Sequence, residues 1–197
     1  WSVVLFCAPM AISSPAYVIE QYHEWFTCLV EKNAENLGSI QQNISLLGLV
    51  RRTTGFTNYS DLWLILPGMA LFALPYLRFS QYKNLAFRET ILASVLLFVI
   101  LFSTGSEASG YVIALLGVCI WYTAAPWKRG KWAIALMIFV FILSGMGSSD
   151  LFPKFIREEY IKPYALRALP ISILWLWLCY ELCTKDYATN ETIEAHE

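Results

Sequence analysis

The chain has 197 residues, is 57% hydrophobic and 16% aromatic, and is only 15% charged, where soluble domains carry about 25%. A net charge of −1 lacks the basic footprint of a nucleic-acid binder, so no nucleic-acid partner is expected. The apolar residues come in blocks of about 13 to 17, which predicts an all-α fold, a polytopic membrane helix bundle with about five complete spans, one truncated N-terminal span and short interfacial helices.

The chain opens inside an apolar run, Trp1 to Ile12, with neither the basic flank nor the cleavage site of a signal peptide. It reads as the tail of a span that begins upstream, so the chain is expected to be the C-terminal part of a longer protein. Residues 13–58 are mostly polar and are expected to form outward-facing interfacial helices. The first begins at Pro15 and ends at Gly38, with Tyr17, Tyr22, Trp25, Phe26 and Leu29 on one face, as suits a helix lying in the membrane interface. The second, over residues 40–52, closes before Gly55. A span over 62–77 follows, interrupted by Pro67 and Pro75, and then a basic stretch with Arg78, Lys83 and Arg88.

A helical hairpin is expected from Thr90 to Ala125, bent around the polar segment Ser103–Gly110. Neither arm carries a charge, and the bend holds one carboxylate, Glu107. Further spans are expected over 132–145 and 168–182, joined by the polar loop 147–167. Residues 1–182 thus form the bundle, and 183–197 an acidic, disordered cytoplasmic tail. Alternating the loops gives seven basic residues on each side. The two short, densely basic loops share a side, however, and short loops weigh most in the positive-inside rule, so that side is placed in the cytoplasm. Residues 13–58, 103–110 and 147–167 then all face outward.

Candidate site residues concentrate in those three segments. Arg51 and Arg52 end an outward helix and offer permanent, forked donors suited to a phosphate; Lys154 and Arg157 stand at helical spacing in the third loop and would join them. Anchoring to lipid headgroups would explain the same residues. Glu107 is the candidate general base, a role that needs reach to the proton it abstracts. Tyr22 and Trp25 would stack on sugar rings, although an aromatic belt at the membrane boundary predicts them equally. The five cysteines, including Cys179 and Cys183 four apart, are read as apolar packing residues, and neither a metal nor a cofactor is expected.

The stretch Asn43-Ile44-Ser45-Leu46-Leu47-Gly48-Leu49-Val50-Arg51-Arg52 resembles the Asn-Gln-Ser-Leu…Arg segment of glycosyltransferase family 87. Those are polytopic enzymes of the GT-C architecture, α-mannosyltransferases among them, that use polyprenyl-phosphate sugars. The order of features over residues 10 to 180 also resembles that family's C-terminal half. Ile44 departs from the usual Gln, and the histidines of the family's Ser-rich turn are absent here, with Glu107 and Ser109 in their neighbourhood.

The resemblance implies a membrane glycosyltransferase of the cell envelope, in the bacterial inner membrane, with its site outward. It would transfer a sugar, mannose, from a polyprenyl-phosphate donor to a lipid or glycan acceptor. Asn43, Ser45, Arg51 and Arg52 would bind substrate, and membrane lipid would surround the bundle. The base of the family would lie upstream of Trp1. A multi-pass transporter subunit and a non-catalytic membrane scaffold are the alternatives. A transporter would place charged or unwound positions at mid-membrane, and the hairpin arms and the span 132–145 have none.

Overall fold

The computed structural model describes residues 1–39, 42–56, 59–147 and 149–188, so most of the expected tail, residues 189–197, lies outside the described residues. The chain divides into two compact units, residues 1–38 and 39–197. Among the described residues every regular element is helical.

The first unit contains α1 (Ser2–Cys7), a 3-10 turn (Ala8–Ala11) and α2 (Pro15–Gly38). Pro9 interrupts the opening apolar run after six helical residues, because its ring fixes φ and removes a donor. Pro15 stands at the first helical position, where its missing N–H costs nothing. The Phe6 and Tyr22 rings stack at 4.3 Å and the Tyr22 hydroxyl donates to the Phe6 carbonyl at 2.7 Å, which pins α1 to α2.

The second unit comprises α3 (Leu46–Thr54), α4 (Leu62–Ala73), α5 (Leu85–Leu101), α6 (Tyr111–Thr123), α7 (Lys131–Phe139), α8 (Lys154–Ile156) and α9 (Ala168–Thr184). Each expected span has a helix at its place: those over 62–77, 111–125 and 132–145 are shorter than expected, whereas α5 begins before Thr90 and α9 runs two residues past 182. Among the described residues no helix is long and apolar enough to cross a membrane. The reasons are local. α4 keeps Pro67 inside it but tightens into a 3-10 turn, Leu74–Leu77, at Pro75. α7 stops at Phe139, where the backbone widens into a π turn, Val140–Gly145. α6 is bounded by Gly110 and the turn leading to Pro126.

α5, α6 and α9 enclose the core, built from Leu97, Leu101, Ala114, Trp121, Leu174, Trp175 and Leu178. Such burial contributes roughly 1.5–3 kcal/mol per large apolar side chain. The Trp175 indole N–H is satisfied by the Ser94 hydroxyl at 3.2 Å. At the end of the bundle away from the 103–110 turn, the core closes on a buried ion pair. Glu181 accepts from both Trp121 Nε1 at 2.8 Å and Trp177 Nε1 at 2.9 Å, and from Arg129 Nη1 at 2.7 and 2.9 Å. Arg129 also donates to the Trp121 carbonyl and lies 4.0 Å over the Trp121 ring.

Removing one partner of such a pair leaves a buried charge uncompensated, at about 3–5 kcal/mol. Glu181→Ala is therefore expected to lower stability by about that amount. Denaturant unfolding measures it; a midpoint equal to wild type would show that this pair does not close the core.

Candidate functional site

All three segments expected to face outward contribute to one cavity in the second unit, of about 440 Å³. Gln42 and Ile44 line it from the stretch before α3, and Glu107, Ala108 and Ser109 from the hairpin bend. Gly147, Ile161, Lys162, Ala165 and Arg167 line it from the loop before α9.

The wall from α3 is set by its own N-terminus. Ser45 caps the helix, its Oγ accepting from Gly48 N at 3.2 Å and donating to Asn43 Oδ1 at 2.7 Å. Asn43 is fully buried at φ 55°, a left-handed conformation that asparagine tolerates better than most residues. A Cβ on Gly48 would stand 1.9 Å from the Asn43 carbonyl oxygen, so no larger residue fits there. Asn43, Ser45 and Gly48 thus form one local device at the start of α3: Ser45 caps the helix and Asn43 Oδ1 holds the Ser45 hydroxyl, while Asn43 Nδ2 is buried with no hydrogen-bond partner. This device leaves Gln42 and Ile44 on the cavity.

Arg51 and Arg52 follow on the same helix and diverge. Arg51 pairs with Asp61 at 2.6 Å and lies 4.9 Å from the Tyr59 ring centroid. Arg52 turns the other way: its Nη2 donates to the carbonyls of Ser39 at 2.6 Å and Gln42 at 2.9 Å, and its Nη1 to Lys162 at 3.1 Å. Burial pulls the Arg52 pKa below its ordinary value. Arg52 is thereby a clamp between two walls of the cavity.

The hairpin bend is fixed by Ser106, whose hydroxyl donates to the Ile100 carbonyl at 2.5 Å and whose own carbonyl accepts from Ile44 N at 2.8 Å. Glu107 next to it is exposed and accepts from Gln42 Nε2 at 3.3 Å. Opposite lies Arg167, immediately before α9 and only 5% exposed. Its Nε and Nη2 donate to the Ser144 carbonyl at 3.0 and 2.7 Å, and the Ser144 hydroxyl donates back to the Arg167 carbonyl at 2.6 Å. The guanidinium sits 4.4 Å over the Tyr111 ring, and the Tyr111 hydroxyl reaches the Ile44 carbonyl at 2.8 Å. Arg167 Nη1 is buried with no hydrogen-bond partner. Burial lowers the Arg167 pKa, as it does that of Arg52.

The other sequence candidates stand elsewhere. Arg157 pairs with Asp150 at 2.6 Å and with Glu158 at 3.3 Å, and Lys154 is exposed on α8. The Arg157 guanidinium holds Asp150 below the usual carboxylate range. Tyr22 and Trp25 belong to the first unit, the former engaged with Phe6 and the latter exposed. Among the described residues no group of three or more His, Cys, Asp and Glu side chains comes together as a metal would require.

The sequence pattern of glycosyltransferase family 87 matches residues 1–104, more than half of the 197-residue chain. The chain belongs to glycosyltransferase family 87. It is therefore a glycosyltransferase, whose substrates are a sugar donor and an acceptor. No curated protein and no solved structure matches it. The family 87 match includes the Asn43–Arg52 stretch and ends before Glu107 and Arg167, so the roles of those two residues rest on geometry. Sequence reading named neither Gln42, Lys162 nor Arg167. For Arg167 a signal was there: a cation at a helix N-terminus opposes the helix dipole and needs another reason to be present.

Ala165, on the cavity wall, is the second non-glycine residue with positive φ among the described residues, at 50°. That conformation costs a β-carbon-bearing residue about 1–2 kcal/mol. Ala165→Gly is therefore expected to be neutral or to stabilise by up to about 1 kcal/mol, after the entropy that glycine adds to the unfolded chain. Gly48→Ala is expected to destabilise by more than about 2 kcal/mol, since the backbone must move. Thermal unfolding of the two variants side by side checks both signs.

Proposed function

We propose that this family 87 glycosyltransferase moves a sugar, mannose, from a polyprenyl-phosphate donor to a lipid or glycan acceptor at the extracytoplasmic membrane face, and that the cavity is where transfer occurs. One observation carries the reading: a carboxylate, Glu107, oriented by Gln42, shares a cavity with buried and exposed cations, Arg167 and Lys162. That combination suits a reaction in which a proton is lost from one substrate and a negative leaving group departs from the other.

In that reaction an acceptor hydroxyl oxygen attacks the anomeric carbon with inversion. The bond from that carbon to the phosphate oxygen breaks, the phosphate leaves with the electron pair, and the hydroxyl proton passes to Glu107. Cations beside the departing phosphate lower the barrier most, because charge develops there in the transition state. Arg52 acts indirectly, by holding the Gln42 and Lys162 backbones in place.

A bilayer setting is supported by large apolar side chains facing outward, among them Trp63 at 78%, Val112 at 71% and Trp132 at 79% exposure. The longest helices of the second unit, α5 and α9, have 17 residues each. At 1.5 Å per residue they reach about 26 Å, against a hydrocarbon core of about 30 Å. Local thinning and snorkelling flanks accommodate a shortfall of this size.

The membrane setting predicts that the chain stays in the pellet through an alkaline carbonate wash; release into the supernatant would remove the bilayer from the proposal. For the chemistry, the detergent-solubilised protein is incubated with a polyprenyl-phosphate mannose and a lipid acceptor extract. Glu107→Gln is expected to reduce kcat by about 10²–10⁴-fold with donor KM little changed. Full activity in that variant would take Glu107 out of the reaction.

A further inference from the structure

We propose that Arg167 is the anion-receiving residue of the cavity, and that with Lys162 it takes the phosphate oxygens of the ligand. This rests on the reading of the cavity as the donor site, and it moves the phosphate away from the Arg51–Arg52 pair.

The assignment follows from what each guanidinium already holds. Arg51 is committed to Asp61 and the Tyr59 ring, outside the cavity lining. Arg52 is committed to three backbone carbonyls. Arg129 is neutralised by Glu181 at the far end of the bundle. Arg167 differs from all three in lining the cavity. Two of its nitrogens are spent on one carbonyl, that of Ser144, and Nη1 is left over on a side chain that lines the cavity and is about 95% buried by its 5% exposure. Among the described residues no carboxylate pairs with it.

A buried charged donor without a partner costs more than a neutral one, roughly beyond the 1–3 kcal/mol of an ordinary unsatisfied group. A bound anion removes that cost, and the structure is already shaped for it. The guanidinium is held in place: the Tyr111 ring centroid lies 4.4 Å from its carbon, and Nε and Nη2 both donate to the Ser144 carbonyl. A Cβ on Gly147 would stand 2.1 Å from the Leu143 carbonyl oxygen and 3.3 Å from Arg167 Cγ, so the backbone there passes close against the arginine.

The α9 N-terminus itself offers little, since the N–H groups of Ala168 and Leu169 are taken by Ala165 and Leu166 and residue 170 is proline. Lys162, exposed at the rim and paired with Glu158 at 2.8 Å, supplies a second cation on the same lining. Two cations reaching one space from different directions suit a tetrahedral oxyanion, and each N–H to such an oxygen is charge-assisted. The phosphate can come from an isoprenyl lipid or from free phosphate, and the two are separable by experiment.

The test is calorimetric titration of the full chain in detergent with farnesyl phosphate, inorganic phosphate and farnesol. Arg167→Gln keeps a donor for the Ser144 carbonyl; Lys162→Glu alters an exposed side chain and keeps the fold even where Arg167→Gln does not. Each variant is expected to weaken farnesyl phosphate at least tenfold and to leave farnesol unmoved. Farnesyl phosphate binding tighter than inorganic phosphate assigns the site to lipid-linked phosphate, and equal affinity, lost alike in the variants, assigns it to free phosphate. Unchanged affinity for both phosphates in Lys162→Glu and in any folded Arg167→Gln overturns the assignment. Sugar transfer by wild type with donor KM unmoved in the variants also overturns it while leaving the proposed reaction standing. Phosphate binding lost in the variants without transfer by wild type would keep the anion subsite and remove that reaction.

Discussion

Everything around the cavity depends on one buried cation and the polar groups that surround it. Arg167 grips the Ser144 carbonyl, lies on the Tyr111 ring, and through the Tyr111 hydroxyl is linked to Ile44, which is bonded in turn to Ser106. This single path joins the end of the π turn, the start of α6, the approach to α3 and the hairpin bend. Burying a guanidinium away from a carboxylate is costly. The carbonyl bonds and the ring face offset part of that cost. The same neighbourhood holds Ala165 and Asn43 in left-handed backbone, the former in a conformation that its β-carbon disfavours.

Arg51, Arg52, Arg129 and Arg167 show how position in the fold decides chemistry. Successive residues on an α-helix are about 100° apart and do not face the same neighbour. Arg51 and Arg52, adjacent in sequence, therefore cannot act as one forked pair: the first meets Asp61, the second the carbonyls beside the cavity. Arg129 with Glu181 closes the opposite end as a fully partnered unit. Of these four, Arg167 is the one that lines the cavity, with Nη1 buried and without a hydrogen-bond partner.

Much of the helix order is legible in the sequence because the punctuation is strong. Pro15 starts α2 and Gly38 ends it, Gly55 at φ 72° closes α3, and the apolar arms of the hairpin bracket a polar bend. Helix length is less legible. The π turn after Phe139 sits in an unbroken apolar run with no proline or charge to announce it. The convergence of three polar segments on one cavity matches the alternation of polar segments and apolar blocks along the sequence. Which atoms meet there is not readable: nothing in the sequence says that Ser45 caps α3, that Asn43 Oδ1 accepts from Ser45, and that neither lines the cavity. Arg167 hides for the converse reason: in a count of loop charges it is one among fourteen Lys and Arg.

The family 87 match and the cavity divide the chain differently, and the difference is instructive. The match ends at residue 104, within the bend, whereas the compact unit that holds the cavity runs from Ser39 onward. The matched stretch supplies Gln42, Ile44 and the Arg52 clamp; the residues after it supply Glu107, Lys162 and Arg167. These are not independent modules. Tyr111 holds Ile44, Ser106 holds Ile44 from its other side, and Arg52 holds Lys162. Cutting the chain at the end of the match would leave Ile44 without the Ser106 carbonyl and the Tyr111 hydroxyl that hold it. Whatever the matched segment does with a sugar, it does inside a frame that the later residues build.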